Sequence, residues 1–275
     1  MSEEIRQAPI GVFDSGVGGL TVAREIMRQI PKEKIIYFGD TARVPYGNKS
    51  KETVTRFSRQ IARFLLSHNV KTIVVACNTA SAYALDELEK EFDVPMIGVV
   101  KPGAKMAVAR TRNGRIGVIG TEGTIGSGIY NEYIRSVRAD AVIYGKACPL
   151  FVPLVEEGLW EDPVTEEIAR RYLSELIDLD IDTLVLGCTH YPLIRSVIGR
   201  IMGDNVTLVN PAYETAIELK RMLKEQDLLN DVEPALGSNR YQFYVSDGAE
   251  KFKQFANSIM KYGVLSAKTI HIEEY

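Results

Sequence analysis

Two segments of this chain end in a cysteine under nearly the same conditions. Ile73-Val-Val-Ala-Cys77-Asn-Thr-Ala-Ser81 and Leu184-Val-Leu-Gly-Cys188-Thr-His-Tyr-Pro192 place their thiols 111 residues apart. Each is an apolar run that stops at a cysteine, followed by small polar residues and a helical pattern. A short continuous apolar run is the signature of a strand covered on both faces. Each segment therefore predicts a strand that delivers a thiol to the carboxyl edge of a parallel sheet, where ligands bind in open α/β folds. Two such thiols facing one ligand from related half-structures suit a reaction that needs an acid/base group on each side of a carbon atom. A thiol ionises at about pH 8.5, so both of its protonation states are accessible near neutrality. A helix beginning just after each cysteine is expected to lower the thiol pKa further.

Other polar clusters are expected on the same edge. Gly11-Val-Phe-Asp14-Ser15-Gly-Val-Gly18-Gly19 follows an apolar run and opens a helical pattern, so its backbone N–H groups can hold an anion. Its Gly-x-Gly-Gly spacing is not the dinucleotide fingerprint. An aspartate there is unhelpful beside a pyrophosphate but useful beside an ammonium group or a proton-transfer residue. The plainer alternative is a turn whose glycines supply positive φ. In Tyr37-Phe-Gly-Asp-Thr-Ala-Arg43-Val-Pro45-Tyr46-Gly47 the backbone and the Tyr46 hydroxyl can line the same pocket, against the alternative of a capping turn stiffened by Pro45. Asn78 and Thr79 flank one thiol; Thr189 and His190 flank the other. His190, two residues beyond Cys188, is near enough to pair with it, whereas His68 and His271 have no such setting. Gly120-Thr121-Glu-Gly-Thr124 takes the place in the second half that Asp14-Ser15 takes in the first, keeping hydroxyls and exchanging the aspartate for a glycine. Cys148, in Lys146-Ala-Cys-Pro-Leu-Phe151, is expected to be a small buried hydrophobe.

The elements that must position these residues follow from the order of the apolar runs. Runs begin at Ile10, Ile35, Thr72 and Met96, then at Ile116, Ala141, Thr183 and Val206, with separations of 25, 37 and 24 residues in the first set and 25, 42 and 23 in the second. The intervals carry helical spacing, as in Val54, Phe57, Ile61, Phe64 and Leu65, or Ile194, Val197, Ile198 and Ile201. Alternating strand and helix predicts an α/β protein with right-handed crossovers. The matched spacings predict an internal duplication: two similar, pseudo-symmetric domains, each a mainly parallel sheet flanked by helices, with the active site in the cleft between them. The expected boundaries are residues 1–99 with 212–275 for the first domain, which is discontinuous, and 100–211 for the second. Val100-Lys-Pro102-Gly has hinge composition. The tail holds a helix around Ala216, Leu219, Met222 and Leu223, a polar loop over 227–240, a strand over 241–245 and a last helix with Phe252, Phe255 and Ile259. It is too small to stand alone and is expected to pack on the first domain.

Composition excludes several classes. The 275 residues are 45% hydrophobic and 25% charged, with a net charge of −3 and scattered Lys and Arg, so no basic footprint for nucleic acid exists. No apolar run is long enough to span a bilayer, and the opening residues lack the apolar core of a signal peptide. Three cysteines do not make a disulfide scaffold, which predicts reduced thiols and a cytoplasmic location.

The motifs GVFDSGVGGLT, YFGDTARVPYG, VACNTAS, ACPLFVPLVEEG and GCTHYPL follow one another in the order carried by bacterial glutamate racemases. The chain resembles that cofactor-independent aspartate/glutamate racemase family essentially from end to end. The resemblance implies an enzyme that interconverts L- and D-glutamate and supplies D-glutamate to peptidoglycan, with no cofactor and no metal. It implies that Cys77 and Cys188 are the two acid/base residues, Cys77 abstracting the proton from D-glutamate and Cys188 from L-glutamate. Asp14 and His190 are implied as their assistants, and Glu156 as a support for His190. Asp14 and Ser15, Tyr46 and Gly47, Asn78 and Thr79, and Thr189 and His190 match the family's substrate-binding pairs. The expected partner is a small-molecule substrate, with neither nucleic acid nor membrane, and a homodimer is expected.

Racemisation explains why the parts are duplicated, since a proton must leave one face of the α-carbon and another arrive on the opposite face. No Schiff-base lysine is identifiable, and two thiols make a pyridoxal electron sink unnecessary. Three rivals remain at this point: a cofactor-free racemase of another amino acid such as aspartate, a zinc enzyme built on Cys77, Cys188 and His190, and a two-domain protein that closes over an amino acid without chemistry.

Overall fold

All eight apolar runs become parallel strands: β1 (Ile10–Asp14), β2 (Ile35–Gly39), β3 (Thr72–Val75), β4 (Met96–Gly98), β5 (Arg115–Gly120), β6 (Val142–Ala147), β7 (Thr183–Gly187) and β8 (Thr207–Val209). Two more, β9 (Tyr241–Val245) and β10 (Lys268–Thr269), come from the tail. The computed structural model describes residues 3–233, 240–260, 263–264 and 266–275, so the 234–239 part of the expected polar loop lies outside the described residues.

The strands form two sheets, a six-stranded one in the order β10-β9-β2-β1-β3-β4 and a four-stranded one in the order β6-β5-β7-β8. Every pairing is parallel. Within each sheet the four duplicated strands run second, first, third, fourth, so β3 and β7 hold equivalent places and carry equivalent cysteines past their carboxyl ends. In the tail, β9 pairs with β2 from Ile35↔Tyr241 to Gly39↔Val245. β10 has only Lys268 and Thr269, both exposed, and no apolar run to betray it.

Helices cover both faces of each sheet. On the first, Ile10, Val12, Tyr37 and Val74 pack with residues of the helices Leu20–Gln29, Pro211–Glu225 and Ala249–Ile259. On its other face Phe13, Phe38, Ile73 and Val75 meet the helix Lys51–Ser67. In the second sheet, Val118 and Val185 pack on Val100–Arg110 and Ile129–Val137, and Leu184 and Leu186 on Pro163–Ile177 and Arg195–Met202. Capping side chains start the longer helices. Ser50 accepts from Thr53 N, Asp162 from Val164 N and Asn210 from Ala212 N, and the last two precede a proline in the first turn.

Two expectations give way to the structure. Val100-Lys-Pro102-Gly is no hinge loop but the first turn of the helix Val100–Arg110; proline is tolerated there because the first-turn N–H groups have no intrahelical acceptor. Strand β6 is not covered on both faces. It is an edge strand, and Val142 is 41% exposed. Among the described residues no helix is long and apolar enough to cross a membrane.

At the amino edge of the first sheet a buried ion pair ties the tail to the core. Lys71 Nζ lies 2.6 Å from Glu33 Oε2 and donates to the carbonyls of Leu228 at 2.9 Å and Arg6 at 2.5 Å. Glu33 Oε1 accepts from Asn230 N at 2.9 Å. Burial pushes the lysine pKa down and the glutamate pKa up, each opposed by its partner's charge. Breaking such a pair leaves a charge uncompensated, so Lys71→Met is expected to cost about 3–5 kcal/mol in denaturant unfolding, with Glu33→Gln added to it restoring much of the loss. A single-variant change under about 1 kcal/mol would show that the clamp does not hold the tail.

Candidate active site

The carboxyl edges of the two sheets face each other across a small cavity. Ser15, Val44, Pro45, Tyr46, Gly47, Cys77, Asn78 and Thr79 line it from the first half, and Thr121, Val152, Cys188, Thr189 and His190 from the second. No lysine or arginine is among these residues. The two thiols are thus brought to one space from equivalent positions in the duplicated halves. All three cysteines are free, and Cys148 is fully buried in the core of the second half.

Local structure differs around the two thiols. Cys77 caps the helix Asn78–Tyr83, its sulfur accepting from Ala80 N at 3.5 Å and lying 3.8 Å from Ser15 Oγ. The expected lowering of its pKa does not occur. Burial, helped by the negative charge of Asp14, outweighs the cap and pushes the Cys77 thiol up to about 12. Cys188 precedes a 3-10 turn, Tyr191–Ile194, and only then the helix Arg195–Met202, so it caps no α-helix. Its partner is His190, whose Nδ1 lies 3.7 Å from the sulfur and whose Nε2 lies 3.0 Å from Glu156 Oε1. Burial opposes the imidazolium, but hydrogen bonds to Cys188 and Glu156 and their charges prevail, and His190 is pushed up to about 10.

Of the residues expected to catalyse or to bind substrate, Asp14 alone does not line the cavity. It is fully buried behind Ser15, Oδ2 accepting from Gly16 N at 2.9 Å and Oδ1 from Thr189 Oγ1 at 3.4 Å. Burial raises its pKa against the pull of His190 and of the Gly19 and Gly16 N–H groups. The Tyr46 hydroxyl is also withdrawn. It donates to Asp40, which is held in turn by Arg43 at 2.8 Å, so the hydroxyl proton is not free for a ligand. The glycines of the first motif serve close approach and not positive φ, for neither Gly18 nor Gly19 has one. A Cβ on Gly18 would lie 2.4 Å from Thr189 Oγ1 and 2.5 Å from His190 Nδ1.

Thr121, the counterpart of Ser15 in the repeat, lines the cavity and is 2.9 Å from Thr79 Oγ1, bridging the halves. Two participants escape sequence reasoning. Val152 sits on the helix Phe151–Glu156 and Val44 on the loop before Pro45, and nothing in their types announces a site. Among the described residues no three His, Cys, Asp or Glu side chains are grouped to hold a metal ion.

Comparison with known proteins gives a consistent result. Residues 10–217 match the Asp/Glu/hydantoin racemase family model. A glutamate racemase of Geobacter metallireducens is 51% identical over 251 residues, covering 91% of this chain and 92% of that one. Among solved structures, a glutamate racemase isoform of Bacillus anthracis superposes with a TM-score of 0.92 at 41% identity, covering 96% of this chain and 98% of that one. The glutamate racemase of Francisella tularensis, in complex with D-glutamate, gives 0.91 at 38% identity, covering 98% and 100%.

The electrostatics of the cavity are open to direct measurement. By nitrogen-15 NMR, His190 is expected to keep both ring protons until about pH 10. Glu156→Gln removes one of the charges that hold the proton and should move the midpoint down. A midpoint at the ordinary histidine value of about 6.5 in both proteins would mean that neither neighbour holds the imidazolium.

Proposed function

The chain belongs to the glutamate racemase family and is an isomerase, an amino-acid racemase, and on that premise we propose that it interconverts L- and D-glutamate with Cys77 and Cys188 as opposed bases. The observation that carries this is the pair of thiols in one cavity, each following the third strand of its half. With L-glutamate, Cys188 as thiolate takes the α-proton. An S–H bond forms as the Cα–H bond breaks, and the electron pair passes into the substrate carboxylate. Cys77 as thiol then gives its proton to the opposite face of the carbon and is left as thiolate. With D-glutamate the roles reverse.

The surroundings support this division of labour. A thiol held up at about 12 rests protonated, ready to donate to a carbanion. His190, charged and 3.7 Å from the Cys188 sulfur, is placed to balance the thiolate, and Glu156 holds the ring. Asp14 acts from behind the wall, through Thr189 and the Gly16 N–H. Ser15, Asn78, Thr79, Thr189 and the backbone at Tyr46 and Gly47 would bind the substrate's polar groups. Preorganised donors in a water-poor site favour the charge that develops on the carboxylate. No lysine lines the cavity to form a Schiff base.

We further assign the D-glutamate to bacterial peptidoglycan, the reaction to the cytoplasm, where the free thiols stay reduced, and the working state to a homodimer. Residues 1–99 with 212–275 form one of the two domains and 100–211 the other, a division supported by the pairing of β9 with β2.

Purified protein is expected to racemise glutamate after exhaustive dialysis against EDTA, followed by circular dichroism, and to show no pyridoxal absorbance. Activity that vanishes on chelation and returns with Zn²⁺ would replace two-base chemistry with a metal site. Replacing either thiol by Ser should cut racemisation at least ~10³-fold, because a serine hydroxyl is too weak an acid to supply a useful base. A glutamate analogue carrying a β leaving group needs abstraction only. Cys77→Ser should therefore still eliminate from the L analogue, and Cys188→Ser from the D analogue. Equal loss for both hands in both variants would end the assignment of one thiol to each face.

A further inference from the structure

Asn78 lies beside Cys77 among the residues that line the cavity, and an asparagine side chain has two chemically opposite ends. Which end faces the ligand decides whether it binds a carboxylate or an ammonium group. A residue of the other half bears on this choice. Tyr130, on the helix Ile129–Val137, is 2% exposed, and its hydroxyl donates to Asn78 Oδ1 at 2.8 Å. Among the described residues that is the hydroxyl's one hydrogen bond. Turning the carboxamide round would leave the hydroxyl proton buried without an acceptor, at a cost of about 1–3 kcal/mol. Two glycines make room for the ring. A Cβ on Gly187, next to Cys188, would lie 3.2 Å from Tyr130 Cε2, and one on Gly103 would lie 3.3 Å from the hydroxyl.

We propose that Tyr130 is a positioning residue that fixes the Asn78 carboxamide with its NH₂ group toward the cavity, as a donor to a substrate carboxylate. The cavity lining contains no lysine or arginine, and the ring nitrogens of its charged His190 are engaged by Cys188 and Glu156, so an acidic substrate depends on oriented neutral donors there. Because Tyr130 belongs to the second half and Asn78 to the first, the donor is set only when the halves are together. The inference rests on glutamate being the substrate.

The test is steady-state kinetics on both enantiomers for wild type, Tyr130→Phe, Asn78→Ala, the double variant and Asn78→Asp, with D-glutamate affinity measured by calorimetry. Wild-type protein that does not racemise glutamate would sink the function itself. Given an active wild type, Tyr130→Phe should raise KM and Kd about three- to tenfold for both hands, with kcat changing less. In the Asn78→Ala background the same substitution should have no effect on KM, since the residue it acts through is gone. Asn78→Asp, which keeps an acceptor for Tyr130 but turns an oxygen toward the substrate carboxylate, should bind worse than Asn78→Ala. The proposal is overturned if Tyr130→Phe leaves KM and Kd unchanged. It is equally overturned if the effect persists in the Asn78→Ala background, as a packing role would have it, or if Asn78→Asp binds as well as wild type.

Discussion

The carboxyl edges of the two parallel sheets meet so closely at Gly18 and Gly47 that neither position has room for a methyl group. A Cβ on Gly47 would lie 2.6 Å from Thr121 Cβ, and one on Gly18 2.4 Å from Thr189 Oγ1. Thr79 bridges the same seam, within 2.9 Å of Thr121 Oγ1 and 3.2 Å of Thr124 Oγ1. A group that works on both faces of one carbon has to come from two supports, and a single sheet edge offers only one. Duplication of the α/β half supplies the second, and the glycines let the two approach until they share a small, enclosed cavity. Trp160 of the second half also meets Phe255 of the tail edge-on, ring centroids 6.5 Å apart.

Closeness has an electrostatic consequence. Cys77, Asp14 and His190 are all buried, and burial opposes the charged form of each. The outcome then turns on neighbours. Cys77 has a backbone N–H and a serine hydroxyl, which do not overcome burial and the field of Asp14. His190, hydrogen-bonded to Cys188 and Glu156, is held protonated against burial. The halves are alike in backbone and unlike in the charges around their thiols.

Much of this was legible in the sequence because it is local. Buried parallel strands need unbroken apolar runs, so all eight were visible, as was their doubled spacing. Cysteines at strand ends mark the sheet edge, so Cys77 and Cys188 were placed without contacts. What stayed hidden depends on distance across the fold. The Tyr46 hydroxyl is taken by Asp40, a link no periodicity encodes. Tyr130 reads as one apolar position on an ordinary helix, and only the second half folding against Asn78 gives it a role. Strand β10 has two exposed residues and no pattern. The pKa of Cys77 was misjudged because a capping position is local while burial is not.

The central claim is that two bases act from opposite sides, and solvent deuterium tests it most directly. L-glutamate is converted in D₂O to a few per cent, and both enantiomers are separated and analysed by mass. Opposed bases predict deuterium at Cα of the D-glutamate formed and almost none in the L-glutamate recovered, because the acid that completes the reaction carries solvent deuterium while the base returns its own proton. Product D-glutamate that retains the substrate proton, or deuterium entering both enantiomers equally from the start, would contradict the account.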